Sequence, residues 1–238
     1  MSKHDFSKED INSRKSTGRE QRNPEELKIV ELSAIQNRFD DAMRDIKGLA
    51  DIYTKISSES DMNDEDKNSL QELLRSQILL MESALDLYMH EISKYGISKI
   101  FNNAPHWNET FTFREFKVTL GNLKDVYYGQ KRARDMANLI ANILQYSSFM
   151  KFEAIIQQLI MMGIIIDENN IPSEIETFRL VITDLCDRRN IIAHASDRDF
   201  KKDFLGRKQG IEESEVQYFY DELRKFQGVI HKYVINKK

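Results

Sequence analysis

Residues 69–96, SLQELLRSQILLMESALDLYMHEISKYG, carry the clearest period in the chain. Leu70, Leu74, Ile78, Met81, Leu85, Tyr88, Ile92 and Tyr95 recur in steps of four and three. That spacing puts all of them on one face of a helix, because 3.6 residues make a turn. A long apolar seam of this kind packs against other helices. Gly96 reads as the stop of this helix.

The same beat continues on either side. Upstream, Asn23-Pro24 opens a helix with Glu25 and Glu26 near its positive end. Ile35, Phe39, Ala42, Ile46, Leu49, Tyr53 and Ile56 form its apolar positions. Residues 57–68 are acidic and rich in Ser and Asn, and read as a loop. Residues 97–112 read as a long connection, followed by helical patterns near 113–128, 131–146 and 148–163. Ser173-Glu-Ile-Glu176 matches a capping box. It opens a helix with Ile175, Phe178, Ile182, Leu185 and Ile192 on its core side. Val216, Phe219, Leu223, Phe226, Ile230 and Tyr233 define a last helix. No segment alternates as a strand would. The expected fold is all-α, an up-and-down helical bundle with additional inserted helices. Residues 1–24 read as a disordered polar tail and 25–238 as one helical domain.

Composition narrows the setting. The chain has 238 residues, 40% hydrophobic and 31% charged, with only three prolines and nine glycines. A chain of this size buries a core without staples. Its single cysteine, Cys186, excludes an intrachain disulfide and predicts a reducing compartment. The start, Met-Ser-Lys-His-Asp-Phe, has no apolar leader, and Ile155 to Ile166 is too short to span a bilayer. A soluble, cytoplasmic protein is expected. The formal net charge of −4 counts against a nucleic-acid partner, yet residues 186–210 hold seven Lys/Arg against four Asp.

That basic segment contains Arg188-Arg-Asn-Ile-Ile-Ala-His194. Cleaving RNA without a metal needs a base for the 2′-OH, a cation for the phosphate and an acid for the leaving oxygen. Histidine serves the proton steps because its unperturbed pKa is about 6.5. Arginine's planar fork grips phosphate and keeps its charge. Asn190 precedes His194 by four residues, so the two share a helical face. Arg189 and His194 are five apart, which separates them by about 140° on a helix. Two chains related by a twofold axis bring such residues together. The chemistry therefore points to a dimeric site.

Arg189-Asn190-Ile-Ile-Ala-His194 resembles the motif of the HEPN superfamily. The wider phrase from Leu185 to His194 looks most like the RiboL-PSP-HEPN branch. That branch also carries an acidic residue in an earlier helix, in a phrase similar to Ser83-Ala-Leu-Asp86-Leu-Tyr88, though more often glutamate. The resemblance implies a helical bundle that dimerises with its motifs face to face. It implies RNA cleavage without metal or cofactor, leaving a 2′,3′-cyclic phosphate, in toxins, phage defence or RNA processing. An antitoxin or defence-system partner is implied with it. By carry-over, His194 is the base or acid, Arg189 holds phosphate and Asn190 orients the site. Arg188 and Asp86 support them.

Competing readings attach to the same residues. Arg198, Lys201, Lys202, Arg207 and Lys208 follow the motif and suit an RNA backbone, as does the cluster Lys131-Arg132-Ala-Arg134. Solvated surface is the plain alternative for both. Glu82, Asp86 and His90 form one helical stripe, either a metal site or, by default, a solvated charged face. No metal is expected. His231 is placed at the surface or a helix end, Trp107 as a loop anchor and Cys186 as a small buried residue. The alternative to a nuclease is a non-catalytic RNA-, nucleotide- or protein-binding module within a larger complex.

Overall fold

The computed structural model describes residues 24–58, 63–121, 124, 149, 151–195, 197–198 and 208–237. The proposed polar tail up to residue 23 and the cluster at 131–134 lie outside them. The same holds for the pattern at 131–146 and for residues 122–123 and 125–128 of the one at 113–128. The fold is all-α. Its helices are α1 (Pro24–Ser57), α2 (Asp64–Phe101), the short α3 (Phe111–Arg114), α4 (Phe152–Met161), the single-turn α5 (Ser173–Glu176), α6 (Arg179–Ala195) and α7 (Glu213–Ile235). Among the described residues the sole β-type pairing is an isolated antiparallel bridge between Arg198 and Lys208.

Helix α2 is the axis of the bundle. It packs along α1 and also contacts α4, α6 and α7. The seam from Leu70 to Tyr95 is buried throughout, and Ile78, Met81, Met89 and Ile92 are wholly covered. Asn63 caps this helix by accepting from the Asp66 amide at 2.9 Å, so it starts inside the segment read as a loop. Facing residues complete one continuous core: Phe39 and Met43 of α1, Phe152 and Ile155 of α4, Leu185 of α6, and Leu223 and Phe226 of α7. Tyr88 is enclosed, edge-on to Phe39 at 5.5 Å, and its hydroxyl meets His231 Nδ1 at 3.0 Å. His231 is thus half-buried and bonded rather than a surface residue. Trp107 is 4% exposed and anchors the connection after α2.

Gly96 does not end α2, which continues to Phe101. The glycine serves a close approach instead. A Cβ there would stand 2.5 Å from Met162 Sδ and 3.0 Å from Trp107 Cζ3. Gly96→Ala is therefore expected to lower stability by about 1–3 kcal/mol through overpacking, read as a lower urea midpoint with unchanged helix content. The gain in helix propensity from alanine, about 1 kcal/mol, offsets part of the loss.

The capping box at Ser173 also does not form. Pro172 occupies the cap position and supplies no side-chain acceptor. The Glu176 carboxylate is taken by Arg179, with Nη2 donating to Oε2 at 3.0 Å. A charge-assisted pair outcompetes a bond to a neutral amide. Arg179 also donates to Glu153 at 2.7 Å and lies over the Phe152 ring at 4.5 Å. One cation thus ties together the starts of α4 and α6. The chain turns at Thr177-Phe178 before α6 begins, and Ile175, Phe178, Ile182, Leu185 and Ile192 are buried. Among the described residues no helix is long and apolar enough to cross a membrane.

Candidate functional site

The motif lies on the last two turns of α6. Val181, Ile182, Leu185, Cys186 and Ile192 hold that helix in the core, while Asp187, Ala193 and His194 are exposed. Burial pushes the Cys186 thiol up to about 12, so it packs as an inert small residue.

The two arginines of the motif point to different partners. Arg188 is 8% exposed and clamps Asp197, whose side chain is wholly buried. Its Nη2 also donates to the Gly210 carbonyl at 2.9 Å, and its Nε lies 3.4 Å from Glu215. Arg75 of α2 grips the same Asp197 carboxylate from the other side and donates to the Gln209 carbonyl at 2.8 Å. Arg188 is therefore committed to protein groups and is not presented to a substrate.

Arg189 turns toward α2. Its Nε is 3.3 Å from the Glu82 carboxylate, and its Nη1 donates to Asn190 Oδ1 at 3.2 Å. Arg189 and Asn190 are both half-buried. His194 stands exposed in the last turn of α6 with no side-chain partner among the described residues. Arg189 and Asn190 thus meet each other, while His194 is not joined to either within one chain.

The acidic partner of Arg189 is Glu82, one turn before Asp86. Glu82 is buried and is not part of a solvated stripe. Asp86 does different work: Oδ1 accepts from the Phe149 amide at 2.8 Å, and Oδ2 lies 3.3 Å from His90 Nε2. Helical spacing does hold a signal for Glu82. Arg75 and Glu82 are seven residues apart, so they share the face of α2 that meets α6. Among the described residues no three His, Cys, Asp or Glu side chains are grouped to hold a metal ion.

Burial raises the Glu82 pKa above its usual 4.5, an effect that Arg189 partly offsets and that Asp86 adds to. The folded chain consequently holds this proton more tightly than the unfolded chain does. Stability falls as pH rises from about 4.5 through the raised value. Glu82→Gln is expected to flatten that slope, read from urea midpoints across the acidic range.

Of the five residues proposed to follow an RNA backbone, Arg198 and Lys208 are described. Both are exposed and paired by the antiparallel bridge, with Lys208 Nζ 2.5 Å from Glu72. Lys201, Lys202 and Arg207 lie outside the described residues.

Comparison with protein families finds the RiboL-PSP-HEPN family over residues 37–236. No curated protein and no solved structure matches the chain. The family match covers all of α2, α4, α6 and α7 and most of α1, and it includes every residue of the motif. A helical bundle that carries Arg189-Asn190 and His194 on the last turns of α6, matched over most of its length, belongs to the RiboL-PSP-HEPN family.

Proposed function

We propose that this protein is an RNA endonuclease that works without a metal, through a site shared by two copies of the chain. Membership of a HEPN family supports an RNase or RNA-binding role. The observation that favours cleavage is His194. It is an exposed imidazole with no side-chain partner among the described residues, one turn beyond an arginine–asparagine pair beside a buried carboxylate. A solvent-exposed imidazole is suited to proton transfer.

The reaction would run as an internal displacement. His194 takes the proton from the ribose 2′-OH, and the 2′-oxygen attacks phosphorus. The bond from phosphorus to the 5′-oxygen breaks as that oxygen gains a proton. The products are a 2′,3′-cyclic phosphate and a 5′-hydroxyl. Arg189 offers its charge to the phosphate as negative charge builds on it. Glu82 lies 3.3 Å from that guanidinium as its ion-pair partner, and Asn190 accepts from its Nη1. The acid step falls to the partner subunit's His194, since the motif supplies one histidine per chain. Arg189 faces α2 while His194 faces solvent, so a twofold arrangement is what brings opposite groups onto one phosphate.

The test is cleavage of single-stranded RNA by the purified protein in excess EDTA. Cyclic phosphate ends and a rate that falls more than linearly on dilution are expected. Intact RNA at every protein concentration overturns the reading.

A second reading keeps RNA or protein binding and drops cleavage. It is favoured by the net charge of −4 and by the ion pairing of both motif arginines. A role as a toxin or phage-defence effector, held by an antitoxin or sensor partner, belongs to the first reading. Growth arrest on expression of the wild type, absent with His194→Ala, is its expected sign.

A further inference from the structure

We propose that Asp197 is a positioning residue for the cleavage reaction, fixing His194 through the end of α6; this rests on the ribonuclease reading above. His194 has no side-chain partner among the described residues, so its place depends on the backbone around it. Helix α6 ends at Ala195, one residue later. A helix end frays unless its free carbonyls are met. Here the Asp197 amide turns back and donates to the Ile191 carbonyl at 3.1 Å. His194 lies inside the ring that this bond closes.

Asp197 itself sits in a left-handed backbone conformation, φ +63°, which side chains other than glycine seldom adopt. Its carboxylate repays the strain. The side chain is wholly buried and gripped by Arg188 from α6 and Arg75 from α2. The Asp197 carbonyl also accepts from the Gln209 amide at 2.8 Å, and the two arginines bind the Gln209 and Gly210 carbonyls. One residue therefore locks the exit of α6 to α2 and to the chain returning toward α7. This clamp uses the motif's first arginine, leaving Arg189 and His194 for the substrate. Catalytic groups held by such supports lose rate steeply when displaced by about 1 Å.

Asp197→Asn preserves the side chain's shape and its tolerance of left-handed backbone but removes the charge that two guanidiniums share. The folded dimer of this variant is expected to lose kcat about tenfold or more with KM within about twofold of wild type. The His194 Cε1–H signal in the NMR spectrum is expected to shift and broaden. A purely structural role would lower the melting temperature and leave both readouts unchanged. Wild-type kcat and an unmoved His194 signal in folded Asp197→Asn overturn the proposal. If the wild type cleaves no RNA, the ribonuclease reading fails, and the His194 signal alone decides whether Asp197 positions it. If Asp197→Asn does not fold, Arg75→Lys carries the same test. It keeps the charge and gives up the second bond, to the Gln209 carbonyl.

Discussion

His194→Ala is expected to remove RNA cleavage, by about 10²–10⁴-fold in kcat, the usual worth of a general acid–base group. The variant should fold as the wild type does. An exposed side chain away from packed groups contributes within about 0.5 kcal/mol to stability, and His194 is exposed with no side-chain partner among the described residues. The loss should fall on kcat more than on KM, because the imidazole moves protons rather than holding RNA in the ground state. His231→Ala is the matching control. That histidine meets the enclosed Tyr88 hydroxyl at 3.0 Å, and burial holds its pKa below the usual value. Its removal takes one of the partners of the buried Tyr88 hydroxyl, which Gln227 also bonds, at a cost of about 1 kcal/mol. Melting temperature should drop and cleavage by the folded fraction should persist. Equal cleavage by wild type and His194→Ala would remove the imidazole from the mechanism.

Asp197→Ala is the variant expected to cost most in stability. Its carboxylate sits between Arg75 and Arg188, both nearly covered. Deleting one partner of a buried ion pair costs about 3–5 kcal/mol, because the charges left behind are neither solvated nor paired. Alanine also tolerates φ +63° less well than aspartate does, adding about 1 kcal/mol. A domain of this kind has about 5–15 kcal/mol in total, so the variant should lie near the edge of folding. A urea midpoint close to wild type would show that the clamp contributes little. Arg75→Met should lose less, since Arg188 would still pair with Asp197.

Both predictions turn on the motif, whose residues were visible in the sequence while the groups that hold them were not. Helix spacing placed Asn190 and His194 on one face and set Arg189 apart from His194. The same spacing favoured Arg189 over Arg188, because Asn190 beside it shares the face of His194. The partners of the two arginines came from across the bundle. Arg188 meets Asp197 and, through it, Arg75, which is 122 residues away from Asp197 in sequence. Arg189 meets Glu82. Nothing in the local sequence of α6 encodes either partner. Asp86 was the carboxylate suggested by resemblance, one turn from the residue that reaches the arginine.

Gly96 and Ser173 teach the same lesson about local signals. Each fits a rule for helix ends, a glycine stop and a capping box. Each was overridden by a contact from elsewhere: Met162 and Trp107 against Gly96, Arg179 on Glu176. Rules for helix ends concern a few backbone hydrogen bonds, and tertiary packing outweighs them.

The sequence by itself determined the helical class, the seam along α2 and the place of the motif at the end of a late helix. Those follow from apolar period and from the residue types that proton transfer and phosphate binding demand, and both are local properties. The tertiary structure alone decided which arginine is held by the protein. It also decided which carboxylate braces the other, and that Asp197 closes the helix beneath His194. Charges seek their partners through space, and burial multiplies the cost of leaving any of them unpaired. The division of labour within Arg188-Arg189-Asn190 and His194 therefore belongs to the packing of α2 against α6.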